Sequence, residues 1–229
     1  MGYIIVIEGT DGCGKQTQTE RLYNKLVELG YNVKRQSFPN YSSPSSEPVK
    51  MYLGGQFGNS DTSLDAYQAS VLFAVDRLCT YKQDLQSFYE NGGIIIFDRY
   101  VESNMLHQAG KISDPVQADK YCDWLDELEF DVLKLPRPNK IIFLDVPVEV
   151  SIKLAHDRGQ LKANTPKDIH EQNPDHLLHA YNSGKRMSKK YNWNVVNCVQ
   201  DMSLRSIESI AQDVFNIVKE DLERSKKWI

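Results

Sequence analysis

A chain of 229 residues is long enough to bury one substantial core, and its formal charge of −4 with a pI near 5.8 lacks the concentrated basic field that a nucleic-acid or anionic-membrane surface requires. Cys13, Cys79, Cys122 and Cys198 stand far apart with no C-x-x-C pair, which speaks against a zinc site or a disulfide scaffold and for a reducing, cytoplasmic setting. No apolar run approaches the roughly 18 residues of a membrane span, no signal peptide precedes the first strand, and no Pro/Gly/Ser linker divides residues 1–229, so a single domain without a membrane partner is expected.

The chain opens with an apolar strand, Tyr3 to Ile7, followed by Glu8-Gly9-Thr10-Asp11-Gly12-Cys13-Gly14-Lys15 and then by Leu22, Leu26 and Leu29 at helical spacing, with Gly30 as a stop signal. Gly9, four residues, then Gly14-Lys15 is the spacing of a phosphate-binding loop, in which backbone N–H groups at a helix N-terminus wrap a phosphate and the lysine adds a point charge. Gly9 through Thr17 are therefore the candidate ATP-binding residues: Gly9, Thr10, Asp11, Gly12, Cys13, Gly14, Lys15, Gln16 and Thr17. The position after the lysine, where a Ser or Thr hydroxyl commonly meets Mg²⁺, holds Gln16. Either magnesium is held by other groups and water, or Gln16 or Thr17 stands in.

Asn32 to Phe38 reads as a second strand, ended by Pro39, and Asn40 to Gly58 as a loop over the cleft with a short helix from Glu47 to Leu53. Ser63 is the expected cap of a long helix from Leu64 to about Tyr89. On its wheel Leu64, Val71, Val75 and Leu78 form the expected buried side. Ala66, Ala69, Phe73, Asp76, Arg77 and Thr80 face the other way, where Phe73 offers a stacking plate and Arg77 a hydrogen-bond fork. Gly92-Gly93 turns the chain into Ile94-Ile95-Ile96-Phe97, a run suited to a buried parallel strand, which ends in Asp98-Arg99-Tyr100. Ligands of doubly wound sheets sit beyond the carboxyl ends of the strands. Asp98 is thus a candidate metal residue, holding a magnesium-bound water, or an orienting carboxylate, and Arg99 a bidentate phosphate clamp.

Helices are expected over Ser103–Gln108 and Val116–Glu129, the latter with Asp114-Pro115 as cap and first-turn proline. Lys140 to Val146 reads as the fourth strand, with Asp145 a second-ranked metal candidate, and Pro147 starts a helix through His156. Periodicity lapses from about 157 to 173, a polar stretch carrying Arg158, Lys162 and Lys167 that is expected to be a lid closing over phosphates. A helix over Asp175–Lys190, a fifth strand over Trp193–Cys198 and a closing helix from Leu204 to Arg224 complete an α/β fold, with five parallel strands and helices on both faces.

Taken together, the phosphate loop, Phe38-Pro39, Leu72 to Arg77, Asp98-Arg99-Tyr100 with Ser103 and Gln108 beyond, Phe143 to Val146, and Asp168-Ile-His-Glu171 make nearly the whole chain resemble the thymidylate kinases, P-loop proteins of the nucleoside monophosphate kinase group. The resemblance implies ATP-dependent phosphorylation of dTMP to dTDP with Mg²⁺, and a homodimer, whose interface would lie along the helix from Leu64. It also implies site roles. Phe73 would stack on thymine, Arg77 would bond its O4, and Asp11 would meet the sugar 3′-hydroxyl. Arg99 would bind the acceptor phosphate, with Phe38, Pro39, Ser103, Asn104 and Gln108 as further substrate contacts. Lys15, Arg99, Asp98 and Arg158 are the catalytic candidates.

Two positions depart from the pattern. Gly12 stands where many relatives carry an arginine, which shifts charge neutralisation to lid cations, and Tyr41 stands where several place an arginine on the acceptor phosphate, so that either affinity for the monophosphate is weaker or Arg35 reaches in. The alternatives are a deoxynucleoside kinase or another monophosphate kinase on the same sheet and, further off, a non-catalytic nucleotide-binding module.

Overall fold

The computed structural model of the chain describes residues 1–58, 60, 62–159, 174–201 and 203–225, side chains of 155–159, 174 and 225 excepted. Its centre is a five-stranded parallel sheet of β1 (Tyr3–Glu8), β2 (Val33–Ser37), β3 (Ile94–Asp98), β4 (Lys140–Asp145) and β5 (Asn194–Asn197), in the order β2-β3-β1-β4-β5. Successive side chains of a strand point to opposite faces, and here both faces are apolar. Ile4, Val6, Ile95, Phe97 and Phe143 enter one core, whereas Ile5, Ile7, Ile94, Ile96, Ile142 and Leu144 enter the other. That is why the strands read as unbroken apolar runs rather than as alternating ones.

Helices α1 (Lys15–Glu28) and α9 (Ile207–Ser225) cover the second face through Leu22, Leu26, Val214, Val218 and Leu222. Helix α1 ends as expected at Gly30, which takes a left-handed φ of 81° while its N–H reaches Val27 O and that of Tyr31 reaches Leu26 O, a Schellman closure. The first face carries α3 (Ala66–Thr80), α5 (Glu102–His107), α6 (Pro115–Asp126) and α8 (Pro174–Lys190). Helix α2 (Glu47–Leu53) lies against α3 through Val49, Tyr52, Leu53 and Ala69. Between α3 and β3 runs α4 (Gln86–Glu90), and α7 (Val148–Gly159) follows β4. Among the described residues no helix is long and apolar enough to cross a membrane.

Three expectations need correction. The third helix starts at Ala66, not Leu64, because Asp65 and Gln68 make a reciprocal capping box: Gln68 N–H donates to Asp65 Oδ1 at 2.8 Å and Asp65 N–H to Gln68 Oε1 at 3.1 Å. Ser63 receives Ser60 N–H instead. The helical path does continue to Glu90, through a wide π turn at Tyr81–Leu85. Second, the expected buried stripe of that helix is split: Leu64 and Leu78 pack against core clusters, but the two valines between them are turned outward. Val71 is 44% and Val75 42% exposed, while Ala69, Ser70, Ala74, Asp76, Arg77 and Thr80 are buried. Buried partners for the polar residues outweigh the valine stripe. Ser70 pairs with Tyr121, Asp76 accepts from Asn40 N–H and Ser45, and Arg77 meets Glu129. Third, Leu204 does not open the last helix; it pairs with Val199 in a two-stranded hairpin, β6 (Val199–Gln200) and β7 (Ser203–Leu204).

Candidate active site

The phosphate loop joins β1 to α1. Gly14 is the residue before the first helical turn with φ 95°, a conformation that no side chain adopts cheaply, and Gly9 has φ 152° with Cys13 Sγ and Leu144 O where a Cβ would sit. Lys15 is buried at the start of α1 and its ammonium donates to Gly9 O at 3.0 Å and Thr10 O at 2.8 Å, so the charge lies under the loop it serves. Gln16 is exposed on the cavity wall, whereas Thr17 is half-buried on the helix and does not line the cavity. Thr10 is buried with its hydroxyl 3.5 Å from Ser151, and Cys13 is buried, its thiol pushed up by desolvation against the pull of Lys15.

In front of the loop lies a cavity of about 340 Å³, within the range of small-molecule sites. Its walls bring together Asp11, Gly12, Gly14, Lys15 and Gln16 from the loop, Phe38 and Pro39 from the end of β2, Phe73 and Arg77 from α3, Asp98 and Arg99 from the end of β3, and Ser103, Asn104 and Gln108 from α5 and its edge. These candidates are spread through the sequence from Asp11 to Gln108 and meet in one cleft. Phe73 is half-buried there, edge-on to Tyr52, rather than sealed in the core. Phe38 is nearly sealed, leaning on Phe97 and Tyr100 with centroids 5.4 and 6.1 Å away. It supports the wall more than it presents a face.

Arg99 takes a left-handed φ of 69°, a costly conformation for an arginine and of the sort found where geometry is set by a site. The turn carries its guanidinium back over the phosphate loop, where one terminal nitrogen pairs with Asp11 and the other lies 3.0 Å from His107 Nε2. The Asp11, Glu8 and Asp98 carboxylates keep it firmly charged against the cost of burial. Asp98 lines the cavity, while the Arg99 guanidinium pairs with Asp11. Two expectations fail here. Arg35 turns away, 3.7 Å from Glu20 and over the Tyr23 ring on the outer side of α1, so it does not make up for Tyr41. Asp145 accepts from Tyr181 at 2.9 Å and Lys185 at 2.5 Å, a tie to α8 rather than a cavity group.

Arg77 is 2% exposed, and its fork is not open to a base alone: Nε donates to both oxygens of Glu129, at 3.0 and 3.2 Å, and Nη1 to Tyr100 O at 3.3 Å. Glu129 is fully buried. Ser103 donates its hydroxyl to Glu8 at 2.8 Å, and Glu8, at the end of β1, also accepts Tyr100 N–H at 3.0 Å. Burial raises the Glu8 carboxyl, with Arg99 and that N–H pulling the other way. Desolvation, with the charge of Glu8 beside it, pushes Glu102 up to about 8. Asn104 and Gln108 are buried on the cavity wall, and the amide nitrogen of the first and the amide oxygen of the second have no hydrogen-bond partner among the described residues.

Sequence reasoning missed the contacts of Glu8, Glu129 and His107. The first was visible as the polar end of an apolar strand; the others depend on contacts across the fold. Of the expected lid, residues 160–173, with Lys162 and Lys167, lie outside the described residues, as does the side chain of Arg158 on α7.

A glycine-built phosphate loop at the carboxyl edge of a parallel sheet, facing a cleft with a second set of cations and a flat aromatic wall, defines an ATP-dependent nucleoside monophosphate kinase. The family model described as "Thymidylate kinase" matches residues 7–202. Relatives include the thymidylate kinase of Mycobacterium tuberculosis, 30% identical over 75% of this chain and 79% of its own, and the probable thymidylate kinase of Pyrococcus horikoshii, 30% identical over 96% of this chain and 98% of its own. A probable thymidylate kinase of Caldivirga maquilingensis is 25% identical over 96% and 95%. The chain belongs to the thymidylate kinase family.

Proposed function

We propose the following division of labour for the family's reaction, transfer of the ATP γ-phosphoryl group to dTMP to give dTDP and ADP. The loop amides and Lys15 hold the donor phosphates. Arg99 grips the acceptor phosphate, Asp11 meets the sugar, and Phe73 lies against the base. The acceptor oxygen is already anionic, so the protein supplies alignment and charge cancellation and no general base is required.

The observation that carries the base assignment is the pair Asn104 and Gln108. A buried donor and a buried acceptor without partners each cost about 1–3 kcal/mol, and they sit on the cavity wall that also holds Phe73. The Watson–Crick edge of thymine offers carbonyl oxygens beside an N–H, so it satisfies both amides. Cytosine, with the N–H replaced by a bare nitrogen and one oxygen by an amine, matches them only if both amides turn end for end. Turnover measured over dTMP, dUMP, dCMP, dGMP and thymidine checks this: dTMP and dUMP are expected ahead of dCMP and dGMP. Phosphorylation of thymidine with silence on dTMP would replace this reading with that of a deoxynucleoside kinase.

Asp98, with Gln16 on the same wall, fits an Mg²⁺ that arrives with ATP, since that ion binds through one or two carboxylates, substrate phosphates and water. Bound there it would neutralise phosphate charge. Among the described residues no three His, Cys, Asp or Glu side chains form a protein-only cage, in keeping with an ion carried by its nucleotide. We read residues 1–229 as one domain with the stretch near 157–173 as its lid, and the four free cysteines as fitting a cytoplasmic setting. Tyr67, Val71 and Val75 recur every fourth residue along the exposed side of α3, a stripe that supports a homodimer packed through this helix. Light scattering on Val71→Asp is expected to report a monomer where the parent chain reports a dimer.

A further inference from the structure

The geometry points to a positioning role for His107 and His176: in series they set the orientation of the Arg99 guanidinium. The inference rests on the assignment of Arg99 to the acceptor phosphate. A guanidinium only donates, so His107 Nε2, 3.0 Å from Arg99 Nη1, is the accepting nitrogen. The neutral ring then carries its proton on Nδ1. That atom lies 3.2 Å from His176 Nε2, so the second bond runs from His107 to His176. The ring planes are 15° apart with centroids separated by 5.4 Å, which is the arrangement of two imidazoles joined edge to edge through such a bond rather than face to face.

His176 is buried in the first turn of α8, and that helix is fastened further along by Ser183, which donates to Met105 O on α5 at 2.6 Å, and by Tyr181 on Asp145. The relay therefore anchors the cavity cation to a fixed helix. With Asp11 on one terminal nitrogen and His107 on the other, the guanidinium plane has one orientation, and each nitrogen keeps an N–H for a phosphate oxygen. The left-handed backbone of Arg99 delivers the group to the cleft; the two imidazoles fix how it faces once there.

¹⁵N spectra of the imidazoles in the unsubstituted chain test the relay without substrate. His107 is expected as the Nδ1–H form with a bare Nε2, the opposite of the form imidazole favours in water, and an Nε2–H signal for this ring would overturn the proposal. Kinetics give the second arm. His107→Phe keeps a ring and removes the acceptor, and is expected to raise the dTMP KM about tenfold with the ATP KM little changed. His107→Gln places an amide oxygen near the former Nε2 and is expected to recover most of that loss, with His176→Phe falling between. Equal damage from Phe and Gln at position 107 would also sink the relay. A chain inert toward dTMP that still shows the Nδ1–H form of His107 would count against the acceptor-site reading and uphold the bond network.

Discussion

The two halves of the cleft are built on different principles. The proposed donor side is one continuous stretch, Gly9 to Gln16, shaped by its backbone, with Lys15 held by carbonyls five and six residues before it. The proposed acceptor side is assembled from side chains that meet across the chain: Arg77 with Glu129, Ser103 with Glu8, Arg99 with Asp11 and His107. A site made by backbone tolerates loss of a side chain in folding terms, because its shape is set by glycines and a helix start. A site braced by a buried ion pair such as Arg77–Glu129 ties function to stability, since each partner is left stranded when the other goes.

The sharpest way to break that contrast is at Glu129. Removing one partner of a buried pair costs about 3–5 kcal/mol, so Glu129→Ala is expected to lower the thermal midpoint by roughly 10 °C, while Lys15→Ala leaves it nearly unchanged. Equal midpoints for the two variants would erase the distinction. A double replacement, Arg77→Met with Glu129→Leu, is expected to recover most of the stability. Turnover gives the converse. Lys15→Ala and Arg99→Ala each remove a charge that grows in importance as the phosphoryl group moves, and kcat is expected to fall by on the order of 10²-fold or more. Should Arg99→Ala keep full activity, the acceptor phosphate lies elsewhere.

The same division governs what could be read in advance. The strands, the loop, the stop at Gly30 and the proline-started sixth helix follow from neighbours in sequence, and each is found where its residues put it. The wheel of α3 placed Phe73 and Arg77 on the cleft and Leu64 and Leu78 against the core but had Val71 and Val75 wrong, because apolar periodicity does not say whether a valine stripe meets the core or the outside. The buried partners that reversed it, Tyr121 and Glu129, sit on other elements some 50 residues away. Asp65 took the cap from Ser63 for the same reason at short range: a reciprocal partner three residues on outweighs cap preference alone.

A smaller effect separates the cleft floor from its rim. Glu102 is buried next to Glu8, and its carboxyl titrates near 8 in the fold against the ordinary value of 4.5. A folded value above the unfolded one means that the native state holds the extra proton. Its contribution is therefore fully present below about pH 4.5 and is lost as pH rises through 8. Denaturant midpoints at pH 5 and pH 8 are expected to show Glu102→Gln matching the parent at the lower pH and exceeding it by on the order of 2 kcal/mol at the higher. A pH-independent difference would assign the residue a packing role instead.

The mildest change probes the flat wall. Phe73 is half-exposed to the cavity and touches Tyr52 edge-on, so cutting it to alanine opens the wall without stranding a charge. If only the acceptor base lies there, Phe73→Ala should raise the dTMP KM about tenfold, the scale of one lost aromatic contact, with the ATP KM and the thermal midpoint close to the parent's. The pattern matters more than the size. A rise shared by both substrates would mean that the ring braces the whole cleft through α2 and α3, and the separation of a backbone-made donor side from a side-chain-made acceptor side would then hold only for the phosphates.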